Sequence, residues 1–277
     1  MVPHFFYPSI ALKQYISKYW YWINIDAMPV LPPGSGSEIF IFNKKIAVYD
    51  ASRPNNVHYV DSVLIRPRYA PIHFCLDEPV SFISIRFRLG SINTFIKDFE
   101  ADYETIVNPY DLWGDAITQL RENIIQTQHL YNKVMYIEDF LLNRLRYQYR
   151  PVTNKLSLTN EFLNRVYYGM ESVSLKEIAQ DIGYSQRHLQ KTVKLVTGLS
   201  LVEVKRLIRF EHAMKQVLTH NTISFSNQDH LNHYYDQAHF IKEFSYFTEM
   251  SPKKFLLKNK TSSHFYNRIA STLDDKN

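Results

Sequence analysis

The sequence contains little from which a disulfide or a membrane span could be built. Its 277 residues include one cysteine, Cys75, so no disulfide can form within the chain. A single cysteine is typical of proteins that work in a reducing cytoplasm. No uninterrupted apolar run approaches the roughly 20 residues that a membrane-spanning helix needs. The first twenty residues lack a basic segment followed by an apolar core, so we predict no signal peptide and expect a cytoplasmic protein.

Ligands for a metal and groups that would activate a nucleophile are also scarce. His230 and His233 are three residues apart, but zinc normally takes three or four ligands, and no cysteine lies near them in the sequence. Cys75 would need a neighbouring base to act as a nucleophile, and we interpret it as a buried apolar residue. We therefore predict no metal, no cofactor and no enzyme activity. The N-terminal histidines form no tight cluster with a carboxylate, as a cupin-like enzyme would need: His4, His58, His73 and His129.

The net charge of +5 is unevenly distributed along the chain. Residues 1–154 contain 15 Lys+Arg and 15 Asp+Glu, whereas residues 155–260 contain 15 and 10, an excess of five positive charges. Residues 261–277 contain two of each sign. A basic segment joined to a neutral one favours a module that binds a polyanion. A solvated basic face explains the charge alone equally well.

The first hundred residues have the pattern of β-strands. Residues 80–90 alternate between apolar and polar side chains, which indicates a strand with one buried face. Segment 38–50 is rich in β-branched and aromatic residues around a Lys-Lys turn, and several short strands of this kind favour a barrel or a sandwich. Arg86 and Arg88 could bind an anionic effector inside such a barrel, or they could be solubilising surface residues, which is the commoner case. The predicted apolar face of residues 80–90 consists of Ile83, Ile85, Phe87 and Leu89.

From about residue 111 to residue 149 the apolar period changes to that of helices. The second predicted helix, residues 133–149, has an apolar stripe that is only about two positions wide in seven. Such a stripe either packs against the strand domain or forms the seam of a homodimer. Pro151 ends this helix, and residues 151–155 are predicted to be a linker. We assign residues 1–150 to an N-terminal domain that senses an effector or dimerises. The stripe consists of Val134, Ile137, Leu141, Leu145 and Tyr149.

Residues 156–260 are predicted to be helical, and they contain one motif twice. Ser185 and Ser200 have the chemistry of helix N-caps, and Gly183 suits a left-handed helix end. A helix, a glycine turn and a second helix with a basic face form the helix-turn-helix pattern. From Leu189 onwards, an offset of 51 residues places four apolar residues of the first copy on apolar residues of the second, and it repeats a threonine and a serine. The matched pairs are Leu189 and Phe240, Val193 and Phe244, Thr197 and Thr248, Leu199 and Met250, Ser200 and Ser251, and Val204 and Phe255.

The two copies, "LKEIAQDIGYSQRHLQKTVKLVTGLSLVEVKRLIRFEHAMKQVL" and "YYDQAHFIKEFSYFTEMSPKKF", resemble the DNA-binding domain of the AraC/XylS family of transcription regulators. The second copy has the family's Asp-Gln-x-His-Phe and its closing Ser-Pro. "LPPGSGSEIFIFN", "SIRFRLGSINTF" and "NPYDLWGDAITQLRENI" are similar to the N-terminal domain in one branch of that family. The resemblance implies an α+β protein, with a strand-rich barrel or cupin-like domain and following helices. An all-α domain of two helix-turn-helix units joined by a long helix, and a tail from residue 261, would complete the chain.

The resemblance also implies how the protein would act. Recognition helices at about 185–196 and 236–247 would enter successive major grooves of promoter DNA, about 34 Å apart. The bound regulator would contact RNA polymerase, and its N-terminal domain would respond to a small molecule. The alternative is a cupin-like ligand-binding or enzymatic domain that carries a helical protein-interaction module. The residues that match the family's DNA-facing positions are Gln186, Arg187, Gln190, Lys191 and Lys194 in the first unit and Gln237, His239 and Lys242 in the second.

The second unit departs from the family pattern at three positions. Asp229 stands where the family prefers a small residue, His233 where it has the turn glycine, and Glu249 where the first unit has Gly198. A non-glycine residue in a left-handed turn is strained, and a polar leading helix packs poorly. We therefore expect the second unit to be less rigid than the first and to contribute less DNA affinity.

Overall fold

The computed structural model describes residues 4–28, 30–96, 104–147, 154–168, 175–181, 183–220 and 234–258. Within these residues a seven-stranded antiparallel sheet comes first, three helices follow it, and the C-terminal part is helical. The predicted α+β fold class is therefore confirmed. Among the same residues, no helix is both long enough and apolar enough to cross a membrane.

The strands are β1 (His4–Phe6), β2 (Ile16–Ile25), β3 (Glu38–Asp50), β4 (His58–Ile65), β5 (Ile72–Cys75), β6 (Val80–Phe87) and β7 (Ile106–Val107). A 3-10 helix spans Ser91–Phe95. The helices are α1 (Pro109–Trp113), α2 (Asp115–Gln126), α3 (Leu130–Tyr147), α4 (Asn154–Tyr168), α5 (Leu175–Asp181), α6 (Gln186–Thr197), α7 (Leu201–His220), α8 (Gln237–Thr248) and α9 (Pro252–Lys258).

The long strand β3 organises the sheet. The strand order is β1-β2-β6-β3-β4-β7, and β5 also pairs with β3. The predicted Lys-Lys turn inside segment 38–50 is wrong, because β3 is continuous. Its pairing register with β4 shifts between Ile41 and Ile46 instead. A shift of this kind bends a strand without reversing it, so the first half of β3 pairs with β6 and the second half with β5.

Both faces of the sheet are covered. The face with Ile83, Ile85 and Phe87 packs against α1, α2 and α3, as the alternation in β6 predicted. The opposite face, which includes the fully buried Ser84, encloses a cluster of aromatic rings. Ring centroids across this cluster are 5.1–6.3 Å apart, so the sheet curves around its own side chains as a small barrel does. The rings belong to Trp20, Trp22, Phe40, Phe42, Phe74 and Phe82.

The helices after the sheet differ in two respects from the simplest prediction. The helix predicted from residue 111 is interrupted at Gly114, whose φ of 54° is left-handed, and α1 and α2 meet there. Val134, Ile137 and Leu141 of α3 are buried in the core between the helices and the sheet. These three stripe positions therefore pack within the chain and do not form an exposed seam. Tyr149 lies outside the described residues. A homodimer through helix 133–149 would need the other face of α3.

Cys75 is exposed, so the prediction that it is a buried apolar residue is wrong. The reason is the alternation of β5, which points Ile72 and Phe74 into the aromatic cluster and leaves Cys75 outside. His73 stacks on Tyr49 with ring centroids 4.8 Å apart. The part of the chain that the structure describes contains no group of three His, Cys, Asp or Glu placed to hold a metal ion.

The C-terminal region has two apolar cores that share α7. The first core combines α4, α5 and α6 with the N-terminal half of α7, and the second combines the C-terminal half of α7 with α8 and α9. Helix α4 begins at Asn154, so the last two residues of the predicted linker are helical. Asp229, His230 and His233 lie outside the described residues.

Candidate nucleic-acid interface

Helices α6 and α8, which we call the reading helices, begin in the same way. Ser185 Oγ accepts a hydrogen bond from the backbone N–H of His188 at 3.2 Å. Asp236 Oδ1 accepts one from the backbone N–H of His239 at 2.7 Å. The two capping residues are 51 residues apart, and so are the two residues whose N–H groups they accept from. Both capping residues have extended backbone, as an N-cap requires. The repeat predicted from the sequence is therefore present in the capping geometry.

The reading helices also end in the same way. Thr197 Oγ1 donates to the carbonyl oxygen of Val193 at 2.7 Å, and Thr248 Oγ1 donates to that of Phe244 at 2.8 Å. The next residue in each unit is left-handed, with φ of 75° at Gly198 and 59° at Glu249. Only glycine adopts this conformation without a steric cost. The second unit therefore retains the turn although it lacks the glycine.

The inward positions of the two helices are equivalent, so their outward faces are equivalent as well. Each helix buries three apolar side chains at spacings of four and three, which is the pattern of a helix with one buried side. The side chains of α8 are larger, and Phe255 of α9 adds an edge-to-face contact with Phe244 at 5.4 Å. The buried residues are Leu189, Val193 and Val196 in α6 and Phe240, Phe244 and Phe247 in α8.

All eight residues predicted to face DNA are exposed on these outward faces. Two of them also make local contacts. Lys194 Nζ donates to the carbonyl oxygen of Gly198 at 2.7 Å, at the C-terminus of its own helix. The ring of His239 lies 5.3 Å from that of the buried Tyr234. The structure places five of the residues on α6, namely Gln186, Arg187, Gln190, Lys191 and Lys194, and three on α8, namely Gln237, His239 and Lys242.

Two exposed residues near the starts of the reading helices were not among the DNA-facing residues predicted from the sequence. His188 is the equivalent of His239, and its ring lies 4.4 Å from that of Tyr184. The offset of 51, applied backwards from His239, would have identified it. Tyr235 precedes the N-cap of α8 and is 95% exposed, which is unusual for an aromatic residue. Its exposure could not be inferred, because the adjacent Tyr234 has the same residue type and is buried.

Of the two arginines predicted to bind an effector, the structure places one beside the aromatic cluster. Arg86 is half-buried, and Lys18 and Glu38 are its register partners on the neighbouring strands. Arg88 follows the end of β6, where its Nε donates to the carbonyl oxygen of Lys13 at 2.7 Å. The two arginines therefore differ in their surroundings.

Lys18 is a buried cation that sequence reasoning missed. It is 3% exposed, and its Nζ lies 4.2 Å from the centre of the Trp20 ring. Burial, and then the charge of Arg86, lowers the pKa of Lys18 to about 7, while Glu38 acts in the opposite direction. Within the described residues, no hydrogen-bond acceptor lies within reach of Nζ. The alternation along β2, with Trp20 and Trp22 facing inward, was the signal that could have identified Lys18.

A family model described as a helix-turn-helix domain matches residues 178–258. The C-terminal region is an AraC-type helix-turn-helix domain. The match covers most of the first unit and the whole described part of the second. Within this AraC-type domain, α6 follows α5 in the first unit, and α8 occupies the equivalent position 51 residues later in the second.

Two solved structures of ToxT from Vibrio cholerae are similar to most of the chain, across both its strand-rich and its helical parts. One, in a P21 crystal form, is 12% identical with a TM-score of 0.52, and 86% of this chain and 98% of that chain are covered. The other, from strain O395, was solved with (E)-4-(8-methylnaphthalen-1-yl)but-3-enoic acid bound; it is 10% identical with a TM-score of 0.51 and the same coverage. At these identities the likeness shows the fold alone, which places a strand-rich domain before the AraC-type domain. A search of curated proteins gave no match.

We predict that Glu249→Gly stabilises the protein relative to Glu249→Ala by about 1 kcal/mol, because only glycine relieves the left-handed strain. Both variants lose the 3.5 Å contact between Glu249 and His73, so the comparison isolates the backbone effect. The free energy of unfolding from urea titration measures it. Gly198→Ala should lower the free energy of unfolding by a similar amount. Equal stability of the two Glu249 variants would show that this turn is unstrained.

Proposed function

We propose that the protein is a sequence-specific transcription regulator, and that α6 and α8 enter successive major grooves of promoter DNA. The repeat of caps, buried positions and turn geometry at an offset of 51 residues supports this function. Two equivalent helices with equivalent exposed faces suit two successive grooves on one side of a duplex.

The exposed side chains have the chemistry of base and phosphate contacts. Arginine and lysine pair with the O6 and N7 atoms of guanine, and glutamine pairs with the N6 and N7 atoms of adenine. Lys194, held at a helix end, is better placed for a phosphate than for a base edge. Bound in this way at a promoter, the protein would act on RNA polymerase.

Selection of bound sequences from a random DNA pool tests this function. The wild-type chain should enrich two half-sites about one helical turn apart. Arg187→Ala and Lys242→Ala should each weaken binding by roughly tenfold or more, because each removes a groove contact worth about 1–3 kcal/mol. Arg187→Ala should have the larger effect, since the second unit departs from the family pattern.

Arg165→Ala is the matched control for these variants. It removes one positive charge from the same domain, but Arg165 lies on α4, where it pairs with Glu161 and Asp181. The proposed function would be contradicted if the selection enriched no sequence. It would also be contradicted if Arg165→Ala and Arg187→Ala lowered DNA affinity equally. A larger loss from Lys242→Ala would contradict the expected ranking of the two units.

We infer that the N-terminal domain binds an effector with an apolar body and a carboxylate. A buried cation without a hydrogen-bond acceptor in the described residues is costly, and a carboxylate would supply that acceptor. Lys18 and Arg86 lie beside the aromatic cluster, which suits an apolar body. The acid bound in the ToxT structure has this composition.

Calorimetric titration with (E)-4-(8-methylnaphthalen-1-yl)but-3-enoic acid tests the effector class. Affinity should be greatest below pH 7 and should fall as the pH rises through about 7, because Lys18 then loses its proton and its charge. Lys18→Met should abolish binding, whereas Arg88→Met, which removes a cation at the strand end, should not. Unchanged binding by Lys18→Met, or equal binding of the neutral methyl ester, would contradict this inference.

A further inference from the structure

The second reading helix contains a buried carboxylate that the first lacks. Glu243 follows the exposed Lys242 on α8 and is itself 3% exposed. The equivalent residue of α6 is Thr192, whose Oγ1 donates within its own helix to the carbonyl oxygen of His188 at 2.9 Å. The two units therefore differ in chemistry at one buried position of an otherwise matched pair of helices.

Two arginines of α7 hold this carboxylate. Arg206 Nε donates to Glu243 Oε2 at 2.7 Å. Arg209 Nη2 donates to both carboxylate oxygens at 2.9 Å. Burial alone would raise the pKa of Glu243, but the hydrogen bonds from Arg206 and Arg209 outweigh burial and hold this pKa below its ordinary value. The carboxylate is therefore ionised, and because it is buried, loss of either half-exposed arginine would leave its charge incompletely paired, which is destabilising.

The geometry of these bonds restricts how α8 can move. A carboxylate bonded through both oxygens to two side chains one turn apart on α7 cannot rotate about the α8 axis without losing a bond. The Cα of Glu243 is adjacent to that of Lys242, so the same bonds limit where the Lys242 side chain can reach. Glu243 is thus placed to set the orientation of the second reading face relative to α7.

The N-terminal domain touches the same group of residues. Tyr69 lies between β4 and β5, and its Oη accepts a hydrogen bond from Arg206 Nη1 at 2.9 Å. Its ring lies 5.2 Å from that of Phe247 on α8. The guanidinium of Arg206 packs against the rings of Tyr69, Tyr246 and Phe247 at 5.1–5.4 Å. Arg206 is therefore bonded to the reading helix and to the N-terminal domain at once.

We propose that Glu243 is a positioning residue for DNA reading by the second unit, and that Tyr69 and Arg206 transmit the state of the N-terminal domain to it. The proposal rests on the DNA-binding function proposed above. Movement of Tyr69 would change the geometry of Arg206 and hence the tilt of α8. The first reading helix has a different contact, in which Asn93 Nδ2 donates to the carbonyl oxygen of Val196 at 2.9 Å. The second half-site would therefore respond to Tyr69 and the first would not.

Base discrimination at each half-site, measured separately, tests this proposal. Duplexes derived from the selected site would vary in one half at a time, and the full chain would be titrated on each. Glu243→Gln keeps the shape of the side chain but removes its charge, so discrimination at the second half-site should fall roughly tenfold while the first is unchanged. Glu243→Asp, which retains the charge, should recover part of this loss.

Tyr69→Phe is the milder variant, because it removes only the hydroxyl that Arg206 bonds. It should also lower discrimination at the second half-site alone, by a smaller factor, and its thermal melt should match that of the wild type. Asn93→Ala is the matched control from the N-terminal domain and should leave the second half-site unchanged.

Three results would overturn the proposal. They are an equal loss at both half-sites in Glu243→Gln, no loss in Glu243→Gln with a wild-type melt, and no loss in Tyr69→Phe. If the wild-type chain selects no two-part site, the proposed function itself fails and this proposal fails with it. If the wild-type chain discriminates bases at both half-sites and Glu243→Gln leaves discrimination at the second half-site unchanged, only this proposal fails. The proposed DNA-binding function then stands.

Discussion

Both reading helices depend on one element, because α7 supplies apolar side chains to two cores at once. Val204 and Ile208 pack in the core of the first unit, and Leu207, Phe210 and Met214 pack in the core of the second. Positions 207 and 208 thus belong to different cores although they are adjacent. The relative placement of α6 and α8 is therefore a property of α7, and any account of DNA reading depends on the integrity of this helix.

The two units are most informative where they differ. Their caps, turns and inward positions match closely, which is what two copies of one supporting structure require. They differ at Gly198 and Glu249, where the second copy accepts backbone strain, and at Thr192 and Glu243, where it places a charge in the interior. Strain and buried charge have a cost in stability, so their presence in one copy favours a role that the other copy does not have.

Much of the C-terminal region was predictable because its determinants are local. N-caps, helix periods and left-handed turns each depend on a few neighbouring residues, so a repeat of them is visible in the sequence. The site residues on α6 and α8 follow from the same period. By contrast, the pairing of Glu243 with Arg206 and the contact of Arg206 with Tyr69 join residues 37 and 137 positions apart, and no local pattern reveals them.

The N-terminal domain was less predictable for a related reason. Period-two alternation gave the inward face of β6, but it could not show that the opposite face is also covered, because coverage depends on how the sheet curves. Strand pairing is also non-local, and for that reason the sequence did not predict that β3 is continuous, with a register shift in place of the predicted turn. The exposure of Cys75 was missed for the same reason. For Lys18 the alternation along β2 indicates the inward face, but its neighbours Arg86 and Glu38 lie on strands that are distant in the sequence.

Site-directed DNA cleavage measures the central claim most directly, namely that one duplex meets both reading helices. Gln186→Cys and Gln237→Cys, each in a Cys75→Ser background, would carry an iron chelate at the start of α6 or α8. On the selected site, the two conjugates should cut at positions about one helical turn, or roughly 10 base pairs, apart on one face. Cleavage by both conjugates at one position, or on opposite faces of the duplex, would contradict this account.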